Sequence, residues 1–119
     1  MEDLLGSLVD AYFDFDRHDL RIDTKATLTS DAFILKSIVS EAPNTGLWIE
    51  GHCDERGSAE YNLALGAMRA EAAKAFLVEL GFPGALLRTT SYGKERPQCT
   101  AETEECWQRN RRAHLAPVP

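Results

Sequence analysis

Residues 10–16 read Asp-Ala-Tyr-Phe-Asp-Phe-Asp, and the alternation of apolar with acidic positions towards their end predicts a half-buried first strand. A polar stretch with a lone Ile22 follows. Thr27 or Thr29 then opens a predicted helix, in which Leu28, Ala32, Leu35, Ile38, Val39 and Ala42 recur at helical period until Pro43-Asn44-Thr45-Gly46 closes it. Residues 47–50, Leu-Trp-Ile-Glu, predict a short buried strand; 51–57 are a polar loop bounded by glycines; 58–80 are an Ala- and Leu-rich helix. Gly81 suits a left-handed cap for that helix, ahead of Phe82-Pro83-Gly84. Residues 86–92 predict a third strand, 93–99 a loop, 102–108 a short helical turn and 111–115 a last strand, with 117–119 unstructured. The order β-α-β-α-β-(α)-β predicts an α/β fold, an α+β sandwich with helices packed on one face of a mixed sheet. Strands separated by long helices need crossovers rather than hairpins.

Composition narrows the class. A chain of 119 residues that is 44% hydrophobic suits a single domain with one core, residues 1–9 and 116–119 being flanking segments. The net charge of −6 argues against a nucleic-acid partner. The one basic cluster, residues 109–114, falls in the predicted last strand, where solvated side chains are expected. No apolar run approaches the roughly 20 residues needed to span a bilayer. The start, Met1-Glu2-Asp3-Leu4-Leu5, lacks the basic and apolar regions of a signal peptide, which leaves a cytoplasmic protein or the soluble domain of an exported one. Cys99 and Cys106 flank a short acidic segment and can close a small loop, stabilising by roughly 2.5 kcal/mol in the loop-entropy model and implying an oxidising compartment. Two unrelated reduced thiols are the alternative, and Cys53 reads as a small buried filler.

The chemistry concentrates in Glu50-Gly51-His52-Cys53-Asp54-Glu55-Arg56-Gly57-Ser58 and the helix after it. Asp54 stands near a strand end, while Asn62, Leu65, Gly66 and Arg69 share one helical stripe facing the loop that holds Asp54. Gly66 inside a helix costs about 1 kcal/mol relative to Ala, which points to a backbone approaching closely there. Asp54 and Arg69 either flank a cleft for a ligand carrying both an amine and a carboxylate, or form a salt bridge that pins loop to helix. His52, Asp54 and Glu55 are consecutive or nearly so, point in different directions and accompany no activated nucleophile, so hydrolysis is not expected. His52, Cys53, Cys99, Cys106 and His114 lack metal-site spacing, and neither zinc nor another cofactor is expected.

The wording GHCDERGS, then YN, LG and RA, with Ser91-Tyr92-Gly93-Lys94-Glu95-Arg96-Pro97 and Asn110-Arg111-Arg112 further on, resembles the OmpA-like peptidoglycan-binding domains from Tyr12 to Leu115, nearest the lipoprotein branch. The resemblance implies the OmpA-like fold and binding of meso-diaminopimelate, the cross-linking amino acid of the peptidoglycan stem peptide. Asp54 would accept from its ammonium, Arg69 would hold a carboxylate, Phe15 and Asp16 would line the pocket, and Leu65 would form an apolar wall beside Asn62. Phe15 has ordinary core packing as its alternative. Free amides near Ser58 would help hold a second carboxylate. Asn110 would fix a turn, one of Arg111 and Arg112 would pair with acidic groups at the sheet edge, and Tyr92 and Gly93 would be scaffold. The same resemblance implies a lipid-anchored protein on the periplasmic face of the outer membrane. Its partners would be TolB, a periplasmic propeller protein, and other Tol proteins, with membrane contact only through an N-terminal lipid absent from this chain. A wall anchor of an OmpA-type porin or flagellar stator, and a peptidoglycan-processing enzyme, are the rival readings. Cys53, where Thr is common in the family, and the C-terminal cysteine pair depart from the family pattern.

Overall fold

The computed structural model describes residues 6–117. Its elements are β1 (Ala11–Tyr12), α1 (Ile22–Glu41), β2 (Leu47–His52), α2 (Ala59–Glu79), a 3-10 turn (Gly84–Leu86), β3 (Leu87–Gly93), α3 (Glu104–Asn110) and β4 (Arg112–Pro117). The sheet is mixed, as expected, with the order β1-β4-β2-β3. β2 and β3 are parallel, joined through α2, and β4 inserts antiparallel between β1 and β2. The last strand is therefore a central one.

One face of the sheet carries the core. Ala11, Leu47, Ile49, Leu87, Ala113 and Leu115 pack with Leu28, Leu35 and Ile38 of α1 and Ala70, Ala73 and Leu77 of α2. Each fully buried Leu or Ile contributes roughly 1.5–3 kcal/mol. The opposite face is polar: His52 pairs with Glu50 at 3.4 Å and lies tilted against the Tyr92 ring, while His114 meets Asp10 at 2.6 Å. At the centre of the helix-covered face the backbones of β2 and α2 nearly touch. A Cβ placed on Gly51 would lie 1.7 Å from the Gly66 carbonyl oxygen, and one on Gly66 would lie 2.2 Å from Ser91 Oγ. That is the close approach predicted at Gly66.

Helix α2 ends as expected at Gly81, which has φ +98°. The amide of Gly81 donates to the Val78 carbonyl and that of Phe82 to the Leu77 carbonyl, at 2.9 and 3.0 Å. This paired closure satisfies two of the helix's last carbonyls, and Phe82 and Leu77 meet in the core.

Several boundaries differ from expectation. The first strand pairs only at Ala11 and Tyr12; after one more bond, from the Phe13 amide to the Arg111 carbonyl, the chain leaves the sheet and turns through Asp16 at φ +57°. Helix α1 begins at Ile22, five residues before Thr27, with Ile22 itself 90% exposed. An outward-facing apolar residue in a polar stretch erases the periodic signal, whereas buried Thr24 fixes that turn by donating to the Tyr12 carbonyl. β2 and β3 run to His52 and Gly93, α3 is a seven-residue helix ending at Asn110, and β4 continues to Pro117, so Ala116 and Pro117 are strand rather than flank. Residues 1–5 and 118–119, the rest of the expected flanks, lie outside the described residues. Arg111 and Arg112, expected in solvent as part of a basic cluster, are buried. Each has acidic partners: Arg111 meets Asp54 and Glu104, and Arg112 meets Asp10 beside the edge strand.

Candidate functional site

The end of β2 and the start of α2 build the site together. After His52 the chain leaves the ladder, the Cys53 amide donating to the Gly93 carbonyl at 2.8 Å, and Asp54 follows with only 3% exposure. Ser58 caps α2 by accepting from the Tyr61 amide at 3.1 Å. Asn62 reaches back to the carbonyls of Arg56 and Ser58 at 2.8 and 3.0 Å, and Lys94 donates to the Gly57 carbonyl at 2.6 Å, so the loop is fixed from both sides. Gly57 takes φ +94°, a left-handed turn that favours glycine.

A cavity of about 370 Å³ opens against this loop, lined by Phe15, Asp16, Asp54, Asn62, Leu65 and Arg69 together with Cys53, Arg56, Gly57 and Tyr61. All six residues singled out in the sequence thus meet at one cavity. Phe15 is 53% exposed at its rim, not packed in the core.

Asp54 and Arg69 do not bond to each other. Asp54 is held by four hydrogen bonds: Oδ1 accepts from the Arg56 amide at 3.0 Å and its Nε at 3.2 Å, and Oδ2 from Arg56 Nη2 at 2.8 Å and Arg111 Nη1 at 3.2 Å. Burial opposes its ionisation, but these bonds prevail and hold its carboxyl below the usual range. Arg69 is fully buried, and its guanidinium donates to three carbonyls: Arg17 at 2.8 Å, His52 at 3.0 Å and Asp14 at 3.0 Å. Burial pulls its pKa below the usual guanidinium range, with Asp54 and Asp16 countering it through space. Among the described residues no carboxylate pairs with it. The arrangement is a buried cation supported by neutral dipoles beside an exposed acid, Asp16, which accepts from the Tyr61 hydroxyl. Such a site matches an anion next to a cation on one ligand.

The residues that sequence reasoning missed are Arg56, Tyr61 and Trp107. Tyr61 lies one helical turn before Leu65, so extending the stripe backwards finds it. Arg56 stacks between Phe15 and Trp107, its Cζ 3.9 and 4.0 Å from the two ring centroids, and Trp107 Nε1 also donates to Glu55 at 2.7 Å. No local pattern announces a contact between residues 52 apart. Behind the cavity α3 and the residue that follows it act as a strut: Gln108 Nε2 and Arg111 Nε donate to the Phe13 carbonyl at 3.0 and 2.9 Å. Asn110 ties the neighbouring loop through the Gln98 amide and both backbone groups of Cys99, and Cys99 is disulfide-bonded to Cys106 with a Cα separation of 5.4 Å. Cys53 is buried, its thiol pushed up to about 11 by burial, and it donates to the Asn62 carbonyl. A thiol held protonated is a filler and no nucleophile.

The model of the OmpA family matches residues 12–111, which include every element from Tyr12 to α3 and all ten cavity residues. The chain belongs to the OmpA family. Within it, the chain is 50% identical over 102 residues to the peptidoglycan-associated lipoprotein of Rhizobium meliloti, and 40% identical over 114 residues to that of Pseudomonas aeruginosa. These alignments cover 86% and 96% of this chain, which spans 56% and 65% of the lengths of those relatives. The crystal structure of the peptidoglycan-associated lipoprotein from Burkholderia pseudomallei superposes with a TM-score of 0.81 at 41% identity, covering 92% of this chain and 89% of that one. The C-terminal domain of Helicobacter pylori MotB reaches the same TM-score at 18% identity, covering 95% and 86%, and shows that this OmpA-family fold is shared more widely than its sequence.

Proposed function

We propose that this OmpA-family domain binds the peptidoglycan stem peptide through meso-diaminopimelate, and does so without cutting it. The observation that carries the reading is Arg69, a buried guanidinium lined up on a cavity with carbonyls for partners and acids beside it. Such a cation is completed by a ligand carboxylate, while Asp54 and Asp16 suit the ammonium of the same amino acid. Nothing in the cavity supplies an activated nucleophile, for its one thiol is held protonated. The relatives' name, peptidoglycan-associated lipoprotein, supports a domain of a longer, lipid-anchored, wall-associated protein; in this reading that protein belongs to the Tol–Pal system at the periplasmic face of the outer membrane. There it tethers that membrane to the wall and meets TolB. The identity of about 40–50% to these lipoproteins, against 18% to the flagellar stator domain, favours this over a stator anchor.

The test varies the ligand, because Asp54 and Arg69 also hold the fold. A tripeptide ending in meso-diaminopimelate and the same peptide ending in lysine differ by one carboxylate. Calorimetry should show the lysine peptide binding roughly tenfold more weakly or worse, the loss of one charge-assisted contact of about 1.5–3 kcal/mol. Equal affinities, or release of soluble muropeptides from purified sacculi, would refute the reading.

A further inference from the structure

We propose that Arg56 is an internal competitor for Asp54, a built-in cation that the ligand's ammonium must displace. The inference rests on the diaminopimelate reading and adds a residue that sets its specificity. A carboxylate offers about four acceptor positions. In Asp54 all four are taken, three by Arg56 and one by Arg111. An ammonium therefore cannot gain Asp54 without removing a partner. Arg111 is fixed: its side chain is buried and also engages the Phe13 carbonyl and Glu104. The Arg56 amide belongs to the loop backbone. Only the Arg56 side chain, 32% exposed at the cavity rim, is free to leave.

The aromatic clamp makes that departure local. Phe15 and Trp107 grip the two faces of the guanidinium, whereas Asp54 engages its edge. The edge can slide away from the carboxylate while the faces keep their cation–π contacts. A ligand without a cation has nothing to offer Asp54 in exchange and leaves Arg56 in place. Arg56 thus turns a generic acidic site into one that answers to an ammonium delivered in the correct position, and it keeps the buried Asp54 neutralised while the cavity is empty.

The experiment compares wild type, Arg56→Gln and Arg56→Lys by calorimetry with two probes: the tripeptide ending in meso-diaminopimelate, and the same tripeptide with its side-chain amine acetylated. Removing the competitor should tighten the free-amine peptide about fivefold, the scale of a partly exposed ion pair, and leave the acetylated peptide unchanged. Arg56→Lys, which keeps the charge but loses the fork, should fall between. A structural role would move both peptides together. If wild type binds the free-amine peptide and Arg56→Gln, folded by circular dichroism, binds it equally or more weakly, the competitor is overturned and the wall-binding reading stands. If wild type binds neither peptide, the wall-binding reading fails, and Arg56 has no ligand to compete with.

Discussion

Replacing Gly51 by Ala tests how far the stability of the domain depends on the close contact between β2 and α2. Gly51 lies three residues before Asp54, and Gly66 three residues before Arg69, so this backbone contact joins the two halves of the site alongside the Arg69 bond to the His52 carbonyl. The added methyl carbon would sit 1.7 Å from the Gly66 carbonyl oxygen and 2.4 Å from its carbon, both backbone atoms of a helix. Ordinary carbon–oxygen contact needs about 3.3 Å, so the helix must retreat by on the order of 1.5 Å. A gap of roughly 0.5–1 Å already forfeits a quarter to a half of the dispersion energy of facing atoms. The cost should reach or pass the top of the overpacking range, about 3–4 kcal/mol. That is a large part of the roughly 5–15 kcal/mol that a domain commands. In urea unfolding the midpoint should fall by about 2 M at a slope near 1.5 kcal/mol/M. Gly66→Ala provides the contrast, since its methyl clashes with the Ser91 hydroxyl at 2.2 Å, a side chain that can be removed, and is only tight against the Gly51 carbonyl oxygen and carbon at 3.0 and 3.2 Å. It also recovers about 1 kcal/mol of helix propensity. Ser91→Ala should therefore rescue Gly66→Ala in part and Gly51→Ala not at all. A Gly51→Ala protein within about 0.5 kcal/mol of wild type would refute the reasoning.

Two other outcomes follow from buried groups. Asp31, buried on α1 with one oxygen accepting from the Val9 amide at 3.0 Å and the other unpartnered among the described residues, is raised by burial from 3.8 to about 6. A raised carboxyl makes its contribution fully below 3.8 and loses it as pH rises through 6. Asp31→Asn should then stabilise the protein at pH 8 by up to about 3 kcal/mol more than at acidic pH, and an identical effect at every pH in urea titrations would contradict this. For the disulfide, thiol counting on denatured, unreduced protein should find only Cys53, and reduction should lower stability by about 2.5 kcal/mol; three free thiols in protein prepared under oxidising conditions would defeat the assignment.

The architecture was legible wherever periodicity reported burial. Leu28, Leu35 and Ile38 marked the buried side of α1, and Gly66, an anomaly within a helix, announced the backbone contact that the structure contains at Gly51. The start of α1 was hidden because Ile22 faces outward and Thr24, a polar residue, faces inward. The brevity of β1 was hidden too, for the alternation of Asp14, Phe15 and Asp16 belongs to the cavity rim and not to a strand. At the site, the spacing from Asp54 to Arg69 placed both residues at one cavity, but it could not name their partners within the protein. Arg69 engages carbonyls of Asp14 and Arg17, more than fifty residues earlier, and Asp54 engages Arg111, 57 residues later. Contacts of that separation leave no local trace.

The position of β4 has a consequence for the order in which the molecule comes into being. Between β1 and β2 there is a vacancy that only β4 fills, so the first strand has no partner strand until residues 112–117 have been made. Before then α1, β2, α2 and β3 can associate, but β2 keeps one unpaired edge and Asp54 lacks Arg111. A ribosome that still holds residues 112–117 therefore holds a chain that can neither close its sheet nor complete the candidate site. Parts that meet only across the full length of a sequence also assemble slowly. The sheet closes in one late step of folding, when the domain's last strand becomes its middle one.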